Sequence, residues 1–481
     1  MNEEIKRKMR SIPGMDVLLE KGWTAPWREK LGRDTVKQIF GAELDRIRQA
    51  ILGGGDSDLS PESLRASLEN LLEARACKRI RTVVNATGVV IHTNLGRSVL
   101  AEEAINAVRE VAANYSDLEY NLSDGSRGRR GANAEDEICA LTGAEAALLV
   151  NNNAGAVLLC LSALSRGTEV IVSRGELVEI GGSFRIPEIM EFSGASLVEA
   201  GTTNRTHLKD YANAITENTS MLLKVHPSNF RIEGFTAKPE RRDLANLAHE
   251  RGLIFMEDAG SGLLVKPTDS GMWECETDVR TCFAEGVDVV TFSGDKILGG
   301  PQIGVIAGKK SLIDRLRGHQ VLRALRVDKM TLAAFEATIH LYRKKNYDSI
   351  PTLAMLRRSD ESMKNQAARL ASKLRKAAHK TSAPESGPKF SVVPVSDTVG
   401  GGSCPAIPLS GWGVAVTGHP RGGAGSLLAL LRSREIPIIC GARDDALLIN
   451  VRTIRPSDEA EIARAFAELS ARGAHGNNEH Q

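Results

Sequence analysis

Two residue types at the ends of strand-like runs set the chemistry open to this sequence. Asp258 closes the apolar run in "LIFMEDAGSG", and thirty-eight residues later Lys296 closes "VDVVTFSGDK". Ala259, Gly260, Ser261 and Gly262 follow the aspartate; Ser293 and Gly294 precede the lysine, and Gly299 and Gly300 follow it. Small residues at such a corner leave room for a group to lie close to the backbone. In an open parallel sheet, ligands bind at the carboxyl ends of the strands. A lysine and a carboxylate there are what a pyridoxal phosphate site requires. The lysine forms a Schiff base with the cofactor, and the carboxylate keeps the pyridine nitrogen protonated so that the ring can take up electrons. A single loop lysine is more often solvated; the pairing with Asp258 and the glycine pattern carry the reading.

The phosphate of such a cofactor needs backbone donors, best supplied by a helix N-terminus. "LLVNNNAGAVLLCLSAL" offers a strand, then Asn151, Asn152 and Asn153, then small residues before a helix, so Asn152 and Asn153 are candidates. "KVHPSNF" sets His226, Ser228 and Asn229 at another strand end, where a hydrogen bond to a cofactor ring is expected from His226 or Asn229. Arg97 follows the apolar run in "TGVVIHTNLGR", and "VLRALRVDK" puts Arg323 and Arg326 three apart on what reads as one helix face. Three guanidinium forks near the lysine would suit a compact, multiply charged oxyanion. Arg127, Arg129 and Arg130, in the glycine-rich "SDGSRGRRGANAE", read as a solvated or subunit-contact loop.

The elements that must position these residues fall into blocks. The chain has 481 residues, beyond a single core, so two or three domains are expected. Residues 1–82 read as a helical module: Val36, Phe40, Leu44, Ile47 and Ile51 recur at helix spacing, and Ser60-Pro61-Glu62 caps a further helix. Residues 83–345 alternate short apolar runs with helix-length segments, which argues for a mostly parallel sheet covered by helices, and they close with one long helix over 311–345 broken at most once. Residues 346–468 read as a small α+β domain containing a polar loop, "HKTSAPESGPKF", and a strand pair near "EIPIICGARDDALLINVRTI"; 469–481 read as a disordered tail. The net charge of +2 carries no global sign of a nucleic-acid binder, although residues 1–82 hold 16 basic against 13 acidic residues. The cysteines at 77, 139, 160, 275, 282, 404 and 440 show neither metal nor redox spacing and read as reduced thiols, mostly in the core. No apolar run suits a secretory signal or a membrane span, so a cytoplasmic protein with no membrane role is expected.

The motifs "NATGVVIHTNLGRSVL", "YSDLEYNLSDGSRGRRG", "NNNAGAVLL", "GELVEIGGSFRIPEIM", "HPSNFRIEGFT", "TFSGDKILGGPQIG" and "LRALRVDKMTLAAFEAT" together resemble those of bacterial selenocysteine synthase, the L-seryl-tRNA(Sec) selenium transferase family, over roughly residues 10–460. The resemblance implies an α/β fold-type I pyridoxal phosphate transferase with a mostly parallel central sheet, a small C-terminal α+β domain and an N-terminal helical module that grips tRNA. It implies conversion of L-seryl-tRNA(Sec) to L-selenocysteinyl-tRNA(Sec) with selenophosphate, by β-elimination to aminoacrylyl-tRNA and selenium addition, in a homo-oligomer, a decamer built from dimers. Position by position, Lys296 looks like the Schiff-base lysine, Asp295 like its active-site neighbour, and Arg97, Arg323 and Arg326 like the selenium-donor pocket. Asp258, Asn152, Asn153, Ser293, His226 and Asn229 complete the cofactor-binding set, and no metal site is expected. Gly155, Pro227 and Ala259 depart from the family pattern, and residues 266–282 are the least family-like part of the core. The alternative is a lyase of the same fold acting on a small amino acid or amino sugar acid, which would have no need of residues 1–82. A tRNA-binding scaffold with a dead site is disfavoured by intact Lys296 and Asp258.

Overall fold

The computed structural model describes residues 3–54, 58–76, 80–180, 184–379, 387–419 and 422–474. Its chain contacts form two units, Met1–Thr82 and Val83–Gln481. Among the described residues no helix is long and apolar enough to cross a membrane.

The first unit is helical, with its longest helices at Arg33–Leu52 and Pro61–Ala76. The stripe Val36, Phe40, Leu44, Ile47 and Ile51 is buried against Leu64, Leu68 and Leu72, one apolar side chain per turn on each helix. Ser60 caps the second helix, its Oγ accepting from the Ser63 amide at 3.3 Å. Glu43 is buried between the two helices because Arg46 and the Ser67 hydroxyl, 2.8 Å away, both donate to it. Lys78 and Arg79, part of the basic excess, lie outside the described residues.

In the second unit a seven-stranded sheet runs Ala146–Val150, Gly304–Gly308, Val289–Ser293, Ile254–Gly260, Thr219–Val225, Glu169–Ser173, Ser196–Ala200. All neighbours are parallel except Gly304–Gly308, which is antiparallel to both of its partners. Helices cover both faces, so the central strands Val289–Ser293 and Gly304–Gly308 are buried throughout and read as continuous apolar runs.

A second sheet of six strands follows the order Val84–Ala86, Ile438–Arg443, Ala446–Asn450, Ser403–Thr417, Lys389–Gly400, Val89–Ile91. Its two edge strands come from residues 84–91, which corrects the assignment of 83–345 to the large domain. Runs of three residues carry no mark of which sheet they will join, and here a buried contact decides. Gly88, at φ 76, packs so close to Asp397 that a β-carbon would lie 1.9 Å from Oδ1. Asp397 is itself held by Arg452 at 2.9 Å and Asn450 at 2.8 Å. The expected strand pair is a tight hairpin, with Asp444 and Asp445 both at positive φ in its turn.

Two further expectations change. The helix expected over 311–345 is three helices, Lys310–Arg317, Val321–Ala324 and Lys329–Arg343. The apolar period runs through gaps that local chemistry imposes: Gly318 ends the first, and Asp328 caps the third by accepting from the Met330 and Thr331 amides. Arg323 and Arg326 therefore do not share a helix face. The last helix, Pro456–Ala474, extends past 468, because Leu469 packs into the core of the second sheet. Residues 475–481 and most of the polar loop expected at 379–390 lie outside the described residues.

Candidate active site

Asp258 and Lys296 are brought together because their strands are parallel neighbours, with Thr291 opposite Asp258. The register slips by one residue after that pair, passing over Ala259 to Gly260, which turns at φ 64. Its Oδ1 accepts from Asn153 Nδ2 at 2.8 Å, the Gly260 amide at 3.1 Å and Thr291 Oγ1 at 3.2 Å. Burial pushes the Asp258 carboxyl above its ordinary value, against the Asn153 hydrogen bond and the Lys296 charge. Burial likewise pushes the Lys296 amine below its ordinary value; Asp258 opposes the shift and the charge of Arg97 adds to it. A buried lysine poised toward its neutral form can serve as nucleophile or base.

The loop carrying the lysine is pinned from three sides. Ser293 Oγ donates to Asp295 Oδ1 at 2.6 Å, and Arg97 meets Asp295 Oδ2 at 2.8 Å. Ser98 Oγ lies 2.7 Å from the carbonyls of both Asp295 and Lys296. Arg97 sits at φ 64 in the loop after Val89–Ile91, a left-handed conformation costly for a side-chain-bearing residue and held here by the ion pair. The glycines around Lys296 accommodate protein rather than ligand: a β-carbon on Gly294 would lie 2.5 Å from Ile303, and one on Gly299 would lie 2.4 Å from Ile350.

Asn152 and Asn153 divide their work. Asn152 is the N-cap of helix Asn153–Leu164, accepting from the Gly155 amide at 2.8 Å, while Asn153 orients Asp258. Gly155 has a local reason, since a β-carbon there would lie 2.9 Å from Leu325. His226 is buried and tied to the same strand end, its amide donating to the Asp258 carbonyl at 3.0 Å. Asn229 is not brought to the site; it is exposed and donates to the Glu179 carbonyl, and the buried residue of that loop is Ser228.

Of the three arginines only Arg97 reaches the lysine loop. Arg326 lies 4.0 Å from Glu119 in a cavity of ≈ 270 Å³ that also takes Arg127, Arg129, Arg130 and Arg317, and Arg323 is exposed. Their segment nevertheless touches the asparagine loop, where the Asn151 amide donates to the Leu325 carbonyl at 3.0 Å.

Sequence reasoning missed what the second sheet and residues 266–282 contribute. Gly402, at φ 89, lies against the lysine; a β-carbon there would be 2.6 Å from Lys296 Nζ. The fully buried Glu276 carboxylate approaches His226 Nε2 at 3.4 Å and accepts from the Cys404 amide. Burial pushes that carboxyl up, but His226, with Ser261 and the Cys404 amide, together outweigh it and Glu276 is held below its ordinary value. No spacing in the sequence links positions 276 and 402 to 296. The contacts are long-range.

Buried polar atoms without partners collect here among the described residues: Asn153 Oδ1, Ser228 Oγ, Glu276 Oε2 and Ser403 Oγ. Orphaned polar groups at such depth are costly unless a polar ligand satisfies them. With a buried amine, a buried carboxylate and a helix N-terminus at strand ends of one sheet, linked by the Asn153–Asp258 hydrogen bond, the residues fit pyridoxal phosphate.

This sheet order, with a lysine and an aspartate at the carboxyl ends of adjacent strands, defines the class of fold: that of the fold-type I pyridoxal phosphate enzymes. A solved D-glucosaminate-6-phosphate ammonia-lyase shares the fold with a TM-score of 0.56 and 19% identity, covering 82% of this chain and 97% of that one. The chain belongs to the L-seryl-tRNA selenium transferase family, whose model matches residues 83–455, with a selenocysteine synthase N-terminal model over residues 9–48. It is 42% identical to the L-seryl-tRNA(Sec) selenium transferase of Moorella thermoacetica over 98% of this chain and 99% of that protein. It is 46% identical to that of Desulfomicrobium baculatum over 96% and 99%.

Proposed function

We propose that this chain converts L-seryl-tRNA(Sec) to L-selenocysteinyl-tRNA(Sec) with selenophosphate, using pyridoxal 5′-phosphate attached to Lys296. The observation that carries the reading is the buried Lys296 beside Asp258 at adjoining strand ends, in a chain that matches members of this family over nearly its whole length. Asp258, oriented by Asn153 and Thr291, would hold the ring nitrogen, and the first-turn amides of helix Asn153–Leu164 would take the phosphate. His226 and Ser228 would contribute polar contacts beside the ring. When bound, the cofactor supplies an electron sink for the pair left on the substrate's α-carbon.

The residues of the chain do the rest. Lys296 Nζ, poised toward its neutral form by burial, removes the α-proton of the seryl group and can return a proton to the departing β-hydroxyl, which leaves as water. Ser98 and Asp295 fix the lysine loop so that Nζ stays within reach of that proton. Gly402 lies against the amine on the side of the second sheet and shields it there from water. Arg97, the one of the three arginines at the lysine loop, would hold the phosphate of the selenium donor, while the exposed Arg323 and the arginine-lined cavity at Arg326 lie apart from it and offer a separate anion-binding surface.

Residues 1–82 bind the tRNA, in keeping with their basic excess and the match to the selenocysteine synthase N-terminal model. The protein works in the cytoplasm as a homo-oligomer. The exposed Tyr115, Tyr120 and Leu122, on the loop that carries Arg127–Arg130, support a contact between copies. The test is to incubate purified protein with seryl-tRNA(Sec) and selenophosphate and identify the amino acid released from the tRNA. Selenocysteine is expected; serine recovered unchanged, with the cofactor bound, would overturn the proposal.

A further inference from the structure

Residues 266–282 found no role in the sequence, and they carry one half of an unusual pair. Cys275 ends the short helical turn Gly271–Cys275 and is exposed; Cys404, 129 positions further on, is buried near the start of strand Ser403–Thr417. Their sulfurs are 3.1 Å apart. The other described cysteines, at 139, 160, 282 and 440, have no such neighbour among the described residues and are buried or half-buried.

The surroundings of the pair are built. Cys404 is held at φ 42, a left-handed conformation rare for a residue with a side chain, by donation from its amide to the buried Glu276 carboxylate. Cys275 Sγ also lies 2.9 Å from the Met272 carbonyl, which keeps it facing Cys404. Two residues before Cys404, Gly402 packs on Lys296 Nζ. Whatever happens to the Cys404 sulfur is therefore felt next to the lysine.

We propose that Cys275 and Cys404 form a reversible disulfide that couples the lysine site to thiol oxidation, with a hydroperoxide as the oxidant. The exposed Cys275 thiolate attacks the peroxide, giving a sulfenic acid and releasing hydroxide or alkoxide. The Cys404 thiol then displaces water from that sulfenic acid, so that two thiols lose two electrons and the peroxide gains them. The hydrogen bond between the two sulfurs, against the opposing cost of burial, holds the Cys275 thiol below its ordinary value; Cys404, bonded to Cys275 and beside Glu276, is pushed up. An exposed, acidified attacking thiol with a buried resolving one is the division such chemistry needs.

Closing the bond brings the sulfurs from 3.1 Å to about 2 Å, a movement taken up by the segments on either side of Cys404 and Cys275. A shift of about 1 Å beside reacting atoms can cost up to about 10²-fold in rate. The oxidised protein should therefore lose selenium transfer by between about ten- and a hundredfold, recovering with dithiothreitol. That consequence rests on the function proposed above. The disulfide itself does not.

The experiment treats the full-length protein with hydrogen peroxide, blocks free thiols, and maps peptides without reduction. A peptide joining Cys275 to Cys404, absent after dithiothreitol, is expected, with Cys160 and Cys282 still alkylated after denaturation. Cys275→Ser should keep untreated activity and lose the sensitivity to peroxide. Failure to find the joined peptide overturns the proposal, as does a Cys275→Ser protein that remains equally sensitive. Stoichiometric zinc in the purified protein, released as the two thiols are alkylated, would make the cluster a metal site and also overturn it. If the joined peptide forms in a protein that never transfers selenium, the disulfide stands and the assigned reaction fails.

Discussion

Replacing Arg97 by alanine removes the guanidinium that meets Asp295 Oδ2 at 2.8 Å and leaves a nearly buried carboxylate with Ser293 as its side-chain donor. The arginine side chain is 33% exposed and the aspartate 7%, so the pair falls between a solvated ion pair, worth about 0–1 kcal/mol, and a buried one, whose breaking costs about 3–5 kcal/mol. A charge-assisted contact of this kind is worth about 1.5–3 kcal/mol. If that contact is made to the reacting groups, kcat/KM falls about 10- to 150-fold. Ser293 and Ser98 keep their bonds to the lysine loop, so cofactor loading should survive. Two further readouts separate this role from a general loss of packing. After burial, the charge of Arg97 is what most lowers the Lys296 pKa, so its removal lets the amine rise, and the acid limb of the pH–rate profile should move to higher pH. Arg97 also occupies a left-handed backbone, so Arg97→Gly should melt above Arg97→Ala, with strain of about 1–2 kcal/mol relieved. The assays are steady-state selenium transfer across pH, the visible band of bound cofactor, and thermal melts. An alanine variant with unchanged rate and an unshifted acid limb, or one inactive because it no longer loads cofactor, refutes the reasoning.

Lys296→Met should raise the melting temperature of the cofactor-free protein at neutral pH. The folded lysine has a lowered pKa, so the unfolded chain holds the proton more tightly; this penalty is full below the folded pKa and fades as pH rises toward about 10.4, and the gain should shrink in the same direction. A gain that is flat with pH would show the amine is not depressed. Gly402→Ala puts a β-carbon 2.6 Å from Lys296 Nζ at a φ of 89, and should abolish covalent cofactor attachment while leaving the first unit's helical signal intact; normal attachment would mean that the second sheet does not lie on the lysine. A chain starting at Val83 should still attach cofactor but lose most affinity for seryl-tRNA(Sec), and full-length binding should weaken steeply with salt, as counterion release requires. Equal affinity of the two chains in filter binding would remove the tRNA role from residues 1–82.

What could be read from the sequence was local. Asp258, Lys296 and Asn153 stand at the ends of short continuous apolar runs that mark the buried strands, and the stripe from Val36 to Ile51 marks its helix by its period. What could not be read was pairing at a distance. Val84–Ala86 and Val89–Ile91 are too short to declare their sheet, and their place depends on Gly88 meeting Asp397. Arg323 and Arg326 kept a helical period across a break that depends on the Asp328 cap. Glu276 lay in the stretch with least resemblance to the family, and its importance comes from His226 and Cys404, far away along the chain. Asn229 shared a motif with His226, yet one residue decides exposure in that loop: Ser228 turns inward and Asn229 outward.

The central claim is that Lys296 is the residue to which the cofactor is bound, and reduction with borohydride tests it most directly. The full-length protein is saturated with pyridoxal phosphate, reduced, digested and mapped by mass spectrometry. The account predicts one modified peptide, spanning "VVTFSGDKILGG", with the added mass on Lys296. Modification of any other lysine in its place, or none at saturating cofactor, would contradict it.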